Sequence, residues 1–399
     1  MTTVDFSSVE LFAGAGGLAQ GLALSGFHPK LVAEWNRDAC QTLRENHDRG
    51  HALVKDWNVI EGDVVGMQFD DLGSIDLVSG GPPCQPFSVG GKHKGYDDHR
   101  DMFPQVVRAV REAQPRAFIF ENVRGITRQA FRNYFEYIRL QLQYPEVLRR
   151  GEESWSEHLA HLEQHHLSKH RFNEGLTYSL VTEVLQAADY GVPQKRERVF
   201  FVGFRGDLEV NWHFPRPTHA REELLYQQYV TGEYWERHGL PTPASAPVLP
   251  LKVRRRKEQD VMFDTLPLSP WQTVRDAIHD LPDPRIGGDH SILNHIYTPG
   301  ARSYPGHTGS PLDEPSKTLK AGDHGVPGGE NMIRFPDGSI RYYTVREAAR
   351  IQTFDDSYYF AGAWGETMRQ LGNAVPVQLA QVVASSVATA LENTRQAVA

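Results

Sequence analysis

The chain has 399 residues and a hydrophobic content of 40%, which is ordinary for a folded protein and excludes general disorder. Its two cysteines, Cys40 and Cys84, exclude a disulfide framework and a cysteine-based zinc site. The net charge of −8 gives no support for nucleic-acid binding, but such binding depends on a local basic face rather than on total charge. The N-terminus lacks a signal-peptide pattern, and no apolar stretch approaches the ~20 residues needed to span a bilayer. We therefore expect a soluble, cytoplasmic protein with no membrane partner.

Apolar, β-branched runs alternate with helical patterns over roughly the first two hundred residues, which is typical of an α/β fold. We predict a mostly parallel, Rossmann-like sheet with helices on both faces. The predicted strands cover 9–13, 31–35, 75–80, 117–123, 178–185 and 198–204, the last two as an antiparallel pair. Glycine- or proline-rich turns follow most of these strands, so their chemistry falls at the carboxyl edge of the sheet, where ligands of this fold bind.

Changes in composition divide the chain further. Residues 128–175 predict a helical insertion with charged faces, and residues 205–340 predict a smaller, loop-rich domain dense in proline and glycine. Regular patterns return near residue 341, so we predict that residues 1–204 and 341–399 form one domain.

Two helices are predicted in the last sixty or so residues. Thr344 and Glu347 have capping-box spacing, which predicts a helix that begins there. A later stripe of apolar residues repeats every four positions and predicts a helix that packs on the first domain. The stripe consists of Val375, Leu379, Val383, Val387 and Leu391.

A glycine-rich turn, FAGAGGL, follows the first predicted strand. Glycines let the backbone approach a ligand closely, and the next helix offers free N–H groups. Glu34 lies twenty positions after Gly14, where an acid of this fold accepts hydrogen bonds from ribose hydroxyls. Trp35 can stack on a purine, and Asp63 can hold its amino group. An adenosine with a carboxylate-bearing tail fits this set better than a pyrophosphate, although a purely structural turn with surface acids explains it too.

The segment GGPPCQPFSVGGKHKGY follows the strand at 75–80 directly. A thiolate is favoured by a positive, partly exposed setting, and Lys92, His93 and Lys94 can supply one for Cys84. A lone cysteine is usually a small core residue. A Pro-Pro-Cys loop at the active edge of a sheet is a poor place to bury a cysteine, so we interpret Cys84 as a nucleophile. Cys40 lies in a helical pattern and is expected only to pack.

The next strand, AFIFENV, brings Glu121 and Asn122 to the same edge. A carboxyl group beside a bound base can exchange a proton with a ring nitrogen. Arg196 and Arg198, at the entry to the last predicted strand, can grip a phosphate or a base carbonyl and orient Glu121. Arginines at such positions are also commonly surface charges.

In chain order, these segments resemble the motifs of the DNA (cytosine-5)-methyltransferases of the bacterial restriction–modification type. FAGAGGL resembles the family's cofactor loop, GPPCQPFS its catalytic loop, ENV its glutamate motif and QKRERVFFVG its arginine motif. REAARIQTFDD and QLGNAVPVQLA resemble its last two motifs. Such motifs in the family's order and spacing are highly specific.

The resemblance implies methyl transfer from S-adenosylmethionine to carbon 5 of a flipped cytosine in double-stranded DNA. Cys84 would add to carbon 6, Glu121 would act at ring nitrogen 3, and Arg196 and Arg198 would hold the base and Glu121. The implied cofactor residues are Phe12, Ala13, Gly14, Gly16, Gly17, Leu18, Glu34, Trp35, Asp63, Val64, Pro83, Asn373 and Val375. Residues 205–340 would be the target-recognition domain. A monomer that acts together with a cognate restriction endonuclease is also implied.

Three other functions are considered. A nucleotide-dependent oxidoreductase would explain the glycine loop but not the Pro-Pro-Cys loop, ENV or QKRER segments. An RNA (tRNA) cytosine-5 methyltransferase would keep the fold, and a non-catalytic DNA-binding relative would lack a use for the catalytic residues. Histidines are frequent in the insertion, but we expect a solvated helical face there rather than a metal site. These histidines are His158, His161, His165, His166 and His170.

Overall fold

The computed structural model describes residues 5–83, 101–168, 175–258, 268–286, 291–305, 307–321 and 331–396, without the side chains of 255–258 and 396. Cys84, Lys92, His93, Lys94 and His170 lie outside these residues. The chain divides into two compact units. The first comprises Met1–Leu185, Glu197–Pro215 and Ala380–Ala399, and the second comprises Gln186–Arg196 and Arg216–Leu379.

Twelve strands are assigned in the described residues. They are β1 (Phe6–Leu11), β2 (Phe27–Glu34), β3 (Val59–Glu61), β4 (Leu77–Gly80), β5 (Ala117–Val123), β6 (Tyr178–Gln186), β7 (Glu197–Arg205), β8 (His219–Ala220), β9 (Ser269–Pro270), β10 (Ser310–Pro311), β11 (Met332–Arg334) and β12 (Ile340–Tyr342). The first seven form one sheet in the order β3-β2-β1-β4-β5-β7-β6. Its first five members in that order pair in parallel, and β7 runs antiparallel to β5.

Twelve α-helices are assigned in the same residues. They are α1 (Gly17–Ala23), α2 (Arg37–Asp48), α3 (Phe103–Ala113), α4 (Arg132–Gln143), α5 (Trp155–Leu167), α6 (Arg221–Tyr226), α7 (Glu233–Arg237), α8 (Leu251–Glu258), α9 (Val274–Ile278), α10 (Val345–Ile351), α11 (Trp364–Asn373) and α12 (Val377–Gln396). Helices alternate with the parallel strands of the large sheet, which confirms the predicted Rossmann-like α/β class.

The predicted strands differ from the observed ones mainly at their ends. The strand expected at 117–123 is β5 itself. The first ends at Leu11 rather than at residue 13, because Phe12 has a φ of 55° and leaves the extended conformation. The second begins at Phe27, four residues earlier than expected, because Pro29 is an unfavourable residue within a strand and so argued against one there. The register shift between Ser8 and Val9 lies opposite this proline. The short edge strand β3 was not predicted.

The core of the first unit lies between the sheet and its helices. Val9 and Leu11 of β1 are fully buried there, and so are Phe118 and Phe120 of β5. Phe118 of β5 is paired with Gly203 of β7, and a Cβ on Gly203 would lie 2.2 Å from the ring of Phe118. Only glycine fits beside that ring.

The segment predicted as a charged insertion, 128–175, contains α4 and α5 and is packed more deeply than expected. α4 contributes Tyr134, Tyr137 and Ile138 to the main core. His158 on α5 is only 2% exposed, so the expectation of a solvated histidine face is wrong at this position. Tyr137 and the backbone at residue 147 supply polar partners for its ring, which lets the imidazole be buried.

The second unit contains short strands, and its longest helix contained wholly within it is α11. α10 begins at the predicted capping box, in which the Glu347 N–H donates to Thr344 Oγ1 and the Thr344 N–H donates to Glu347 Oε2. Arg346 is fully buried and donates to three backbone carbonyls, which fixes the loop after α10. Residues 341–379 belong to this compact unit. The sequence suggested instead that 341–399 form one functional domain with the sheet, and that functional grouping remains a prediction.

α12 carries four of the five residues of the predicted apolar stripe, and Val375 lies just before it. All five stripe residues are at most 5% exposed. From Ala380 onward the helix belongs to the first unit, where Arg116 donates to the carbonyl of Leu391. The stretch Trp364–Arg395 is long and apolar enough to cross a membrane by length and composition alone, which the sequence reading did not anticipate; 56% of its most apolar window is buried, as in the core helices of folded domains.

Candidate active site

The glycine-rich turn after β1 is shaped by Glu34, the last residue of β2. Glu34 Oε2 accepts a hydrogen bond of 2.7 Å from the Gly14 N–H, and Oε1 accepts from the N–H groups of Trp35 (3.0 Å) and Asn36 (2.7 Å). The backbone of Gly14 and Gly16 is left-handed, with φ of 54° and 80°. A carboxylate with three backbone donors is held in one orientation, so the turn and the acid form a single unit.

This turn also meets the needs of a nucleoside ligand. A carboxylate has roughly four acceptor positions, and three of those on Glu34 are taken, which leaves one for a ribose hydroxyl. Trp35 is 71% exposed, so its indole face is open to a stacking partner. Asp63 is exposed, with Oδ1 accepting from the Val65 N–H at 3.0 Å. The predicted residues around Glu34 therefore fit an adenosine.

The remaining predicted cofactor residues on this side are mostly packed. Ala13, Gly17, Leu18 and Val64 are buried, and Phe12 and Pro83 are half-buried. Ala13, Gly17 and Leu18 lie where the turn leads into α1, which begins directly after Gly16.

Glu121, on β5, is paired with Arg198, on β7. Arg198 Nε lies 2.6 Å from Glu121 Oε1, and both side chains are about nine-tenths buried. Burial lowers the pKa of Arg198, while the charge of Glu121 and its hydrogen bond oppose this. A Cβ placed on Gly81 would lie 3.3 Å from Glu121 Oε2, so the second carboxylate oxygen faces the turn that follows β4. The predicted pairing of Arg198 with Glu121 is therefore present.

The same turn is held by Asn122, the neighbour of Glu121. Its Nδ2 donates to the carbonyl of Pro82 at 2.9 Å. The carbonyl of the next residue, Pro83, accepts from the Met102 N–H at 3.3 Å. Gly81 to Pro83 are thus fixed beside Glu121, and they lead directly into Cys84, which lies outside the described residues. The sequence placed Asn122 at this edge but did not foresee its contact with the Pro82 carbonyl.

Arg196 has a different position from the one predicted. It is fully buried in the second unit, where Nη1 donates to the Leu319 carbonyl at 3.2 Å and Nη2 donates to the Gly372 carbonyl at 2.7 Å. The expectation that Arg196 grips a base is therefore corrected: a guanidinium enclosed by backbone carbonyls joins two chain segments. Charge-assisted bonds to carbonyls satisfy a buried guanidinium without a carboxylate.

Two buried glutamines extend this contact. Gln194 Nε2 donates to Gln352 Oε1 at 3.1 Å, and Gln194 Oε1 accepts from the Leu319 N–H at 3.1 Å. Gln352 Nε2 donates to the Leu371 carbonyl. The QKRER segment, the end of α10 and the end of α11 are therefore one hydrogen-bonded assembly, which holds the corner that carries Asn373 (exposed) and Val375 (5% exposed). Sequence reasoning missed Gln352, although a glutamine in an otherwise apolar helical run is a usable signal.

Two further ionisable groups lie near the sheet. Cys40 is fully buried as expected, and burial raises the pKa of its thiol to about 12, so it is not a nucleophile. Glu10, the penultimate residue of β1, was not anticipated: it is 1% exposed and accepts a hydrogen bond from Ser79 Oγ. Burial raises the pKa of Glu10 from 4.5 to about 8.

Comparison with known proteins identifies the family that combines these features. The family model of C-5 cytosine-specific DNA methylases matches residues 6–144 and 167–389. The chain belongs to this family. It is therefore a DNA (cytosine-5)-methyltransferase, which confirms the resemblance seen in the sequence. Methyl transfer requires a methyl donor, and activity on DNA implies a DNA substrate.

Relatives match along nearly the whole chain. The type II methyltransferase M.PspPI of Psychrobacter sp. is 32% identical over 96% of this chain and 79% of its own. M.NgoMIV of Neisseria gonorrhoeae is 32% identical over 98% of this chain and 99% of its own. Among solved structures, the S. pombe Dnmt2 methyltransferase has a TM-score of 0.54 at 17% identity and covers 97% of this chain and 99% of its own. That likeness shows a shared fold.

Proposed function

We propose that this methyltransferase takes the methyl group of S-adenosylmethionine and transfers it to a cytosine flipped out of a specific double-stranded DNA site, through a covalent adduct with Cys84. The observation that carries the proposal is the position of Glu121. Its carboxylate is bonded to Arg198 at 2.6 Å and faces Gly81, three residues before Cys84. Because Cys84 follows Gly81 by only three positions in the sequence, an acid at Glu121 and a thiol at Cys84 can act on one pyrimidine ring.

Three of the chain's residues act in this reaction. The Cys84 thiolate adds to carbon 6 while Glu121 hydrogen-bonds ring nitrogen 3, so the electrons displaced from the ring collect at carbon 5. S-adenosylmethionine, when bound, would supply the methyl group on a sulfonium whose carbon–sulfur electrons stay with the departing thioether. Carbon 5 forms the new bond to this methyl group. Water then takes the carbon 5 proton, the electrons of that C–H bond restore the double bond between carbons 5 and 6, and the Cys84 thiolate leaves. Arg198 keeps Glu121 directed at the ring throughout.

Base flipping precedes this chemistry. A stacked, paired cytosine does not present carbon 6 to a thiol, so the base must leave the helix at a cost of a few kcal/mol. We assign the binding of the duplex and the reading of its sequence to residues 205–340, the proposed target-recognition domain.

The proposed cofactor contacts are those that the resemblance implies. Glu34 would accept from the ribose, Trp35 would stack on the adenine and Asp63 would accept from its amino group. Phe12 to Leu18 and Val64 would shape the pocket. Pro83, Asn373 and Val375 complete the proposed set.

The relatives named type II methyltransferases support a role beside a restriction endonuclease, whose cleavage the methyl group would prevent. We further propose that the enzyme acts in the cytoplasm as a monomer.

The decisive experiment uses duplex DNA that contains 5-fluorocytosine, together with S-adenosylmethionine. Fluorine at carbon 5 does not leave as a proton does, so a denaturant-stable protein–DNA adduct should accumulate. We expect Cys84→Ser to abolish the adduct and Cys40→Ser to retain it, since Cys40 is packed beneath β2. A library of random duplexes covers the unknown site. Absence of an adduct across the library, or an adduct that survives Cys84→Ser, would refute the mechanism; methyl transfer to tRNA alone would replace the DNA substrate.

A further inference from the structure

One group of potential metal ligands in the described residues lies outside the methylation site. Glu153, His158 and His161 each offer one ligand atom, and these atoms lie within 4.8 Å of one another. The three residues belong to the start of α5 and the turn before it. Their chemistry, two imidazoles and one carboxylate, is a ligand set that zinc accepts.

The hydrogen bonds of His158 prepare it as a ligand. Its Nε2 lies 2.9 Å from the Val147 carbonyl, which can only accept, so Nε2 carries the hydrogen and Nδ1 keeps its lone pair. Imidazoles that bind metals commonly donate their other N–H to a backbone carbonyl in this way, which fixes the tautomer and the ring orientation. Nδ1 now accepts from the Tyr137 hydroxyl at 2.9 Å.

His161 provides the second observation. Its Nδ1 is buried and has no hydrogen-bond partner among the described residues, and it lies 3.9 Å from Glu153 Oε1. A buried ring nitrogen without a partner is costly, and a metal bound between the two residues would remove that cost. Donors around a tetrahedral zinc ion lie about 3.4 Å apart, so small side-chain rotations bring this pair to bonding distance. Glu153 is positioned for this, because its other oxygen accepts from the Arg150 N–H at 2.9 Å.

One positive charge faces the group. Arg149 Nε donates to the Tyr137 hydroxyl at 3.1 Å, and that hydroxyl in turn bonds His158. The negative charge of Glu153 offsets Arg149. When a metal takes the lone pair of His158 Nδ1, the Tyr137 oxygen still accepts from Arg149, while its hydrogen turns to another acceptor.

We propose that Glu153, His158 and His161 bind one zinc ion, which joins the turn before α5 to the helix itself. The site uses three protein ligands and leaves a fourth position for water. Its role is to stabilise the region around α5, and it takes no part in methyl transfer.

The test is a metal titration of the full-length wild-type chain without a polyhistidine tag. Zn²⁺ binding is measured by competition with a chromogenic chelator, and Co²⁺ binding by the visible absorption of a four-coordinate ion. We expect one tight equivalent of either metal and a higher urea midpoint of unfolding when Zn²⁺ is present. His161→Ala and Glu153→Gln should each weaken binding at least about tenfold and remove the Zn²⁺-dependent rise.

His166→Ala is the matched control, because it removes an exposed histidine from the same helix outside the proposed ligand set. We expect it to bind zinc as the wild type does. Methyl transfer should be unchanged in His161→Ala. The proposal is overturned if the wild type binds neither metal in a one-to-one ratio, or if His161→Ala binds zinc as tightly as the wild type.

Discussion

Replacing Gly372 by alanine tests the assembly around Arg196. Gly372 is the penultimate residue of α11, and a Cβ added there would lie 2.3 Å from the Ala321 nitrogen and 2.5 Å from the Lys320 carbonyl carbon. These are backbone atoms, so no side chain can rotate away. The two segments would have to separate by about 1 Å to reach ordinary contact, and that would also stretch the 2.7 Å bond from Arg196 to the Gly372 carbonyl.

Two effects should lower the free energy of unfolding of Gly372→Ala. Forcing extra volume into a packed region costs about 1–3 kcal/mol, and weakening a hydrogen bond to a charged group costs about 1.5–3 kcal/mol. We therefore expect Gly372→Ala to lower the free energy of unfolding by about 2.5–6 kcal/mol. The measurement is urea unfolding, with the loss taken from the change in midpoint at constant slope.

Gly365→Ala is the control on the same helix. Outside its own helix and chain neighbours, no atom of the described residues lies within 4 Å of a Cβ at that exposed position, so the same change should be neutral or stabilise by up to about 1 kcal/mol. Because Asn373 is a proposed cofactor contact, Gly372→Ala should also weaken binding of S-adenosylmethionine. An unfolding midpoint for Gly372→Ala that matches the wild type or Gly365→Ala would refute the reasoning.

Three further predictions concern the first unit. The pKa of Glu10 is raised from 4.5 to about 8 in the folded chain, so its contribution to stability is complete below pH 4.5 and is lost as the pH rises towards 8. In urea unfolding, the stability of Glu10→Gln relative to the wild type should therefore increase between these two pH values. Stability profiles that run parallel for the two proteins would contradict this. Arg198→Lys keeps the charge but loses the Nε contact with Glu121, so methyl transfer in a radiolabel assay should slow about 10²-fold, with cofactor affinity unchanged; an unchanged rate would show that the pairing is not needed. Asn122→Ala leaves the Pro82 carbonyl without its donor, and we expect a loss of about 1–3 kcal/mol in unfolding free energy, whereas a loss near zero would mean that water replaces the amide.

Much of the large sheet followed from local patterns. The run AFIFENV predicted β5 to its end residues, and the spacing of Thr344 and Glu347 predicted the start of α10. Each of these signals depends only on residues that are close in sequence, so it predicts the element without knowledge of the rest of the chain. The ends of strands were predicted less well. β1 ends where Phe12 adopts a positive φ, and β2 begins before Pro29, a residue that is unfavourable within a strand.

The amino-acid sequence by itself determined the family, the α/β class and the residue types of the candidate site, because these depend on motifs whose letters are contiguous. Only the tertiary structure separated Arg198, bonded to Glu121, from Arg196, which is enclosed by carbonyls at Leu319 and Gly372. Burial of His158 was likewise decided by its neighbours in space. The partners of a buried polar group lie tens to hundreds of residues away along the chain, so local spacing does not reveal them.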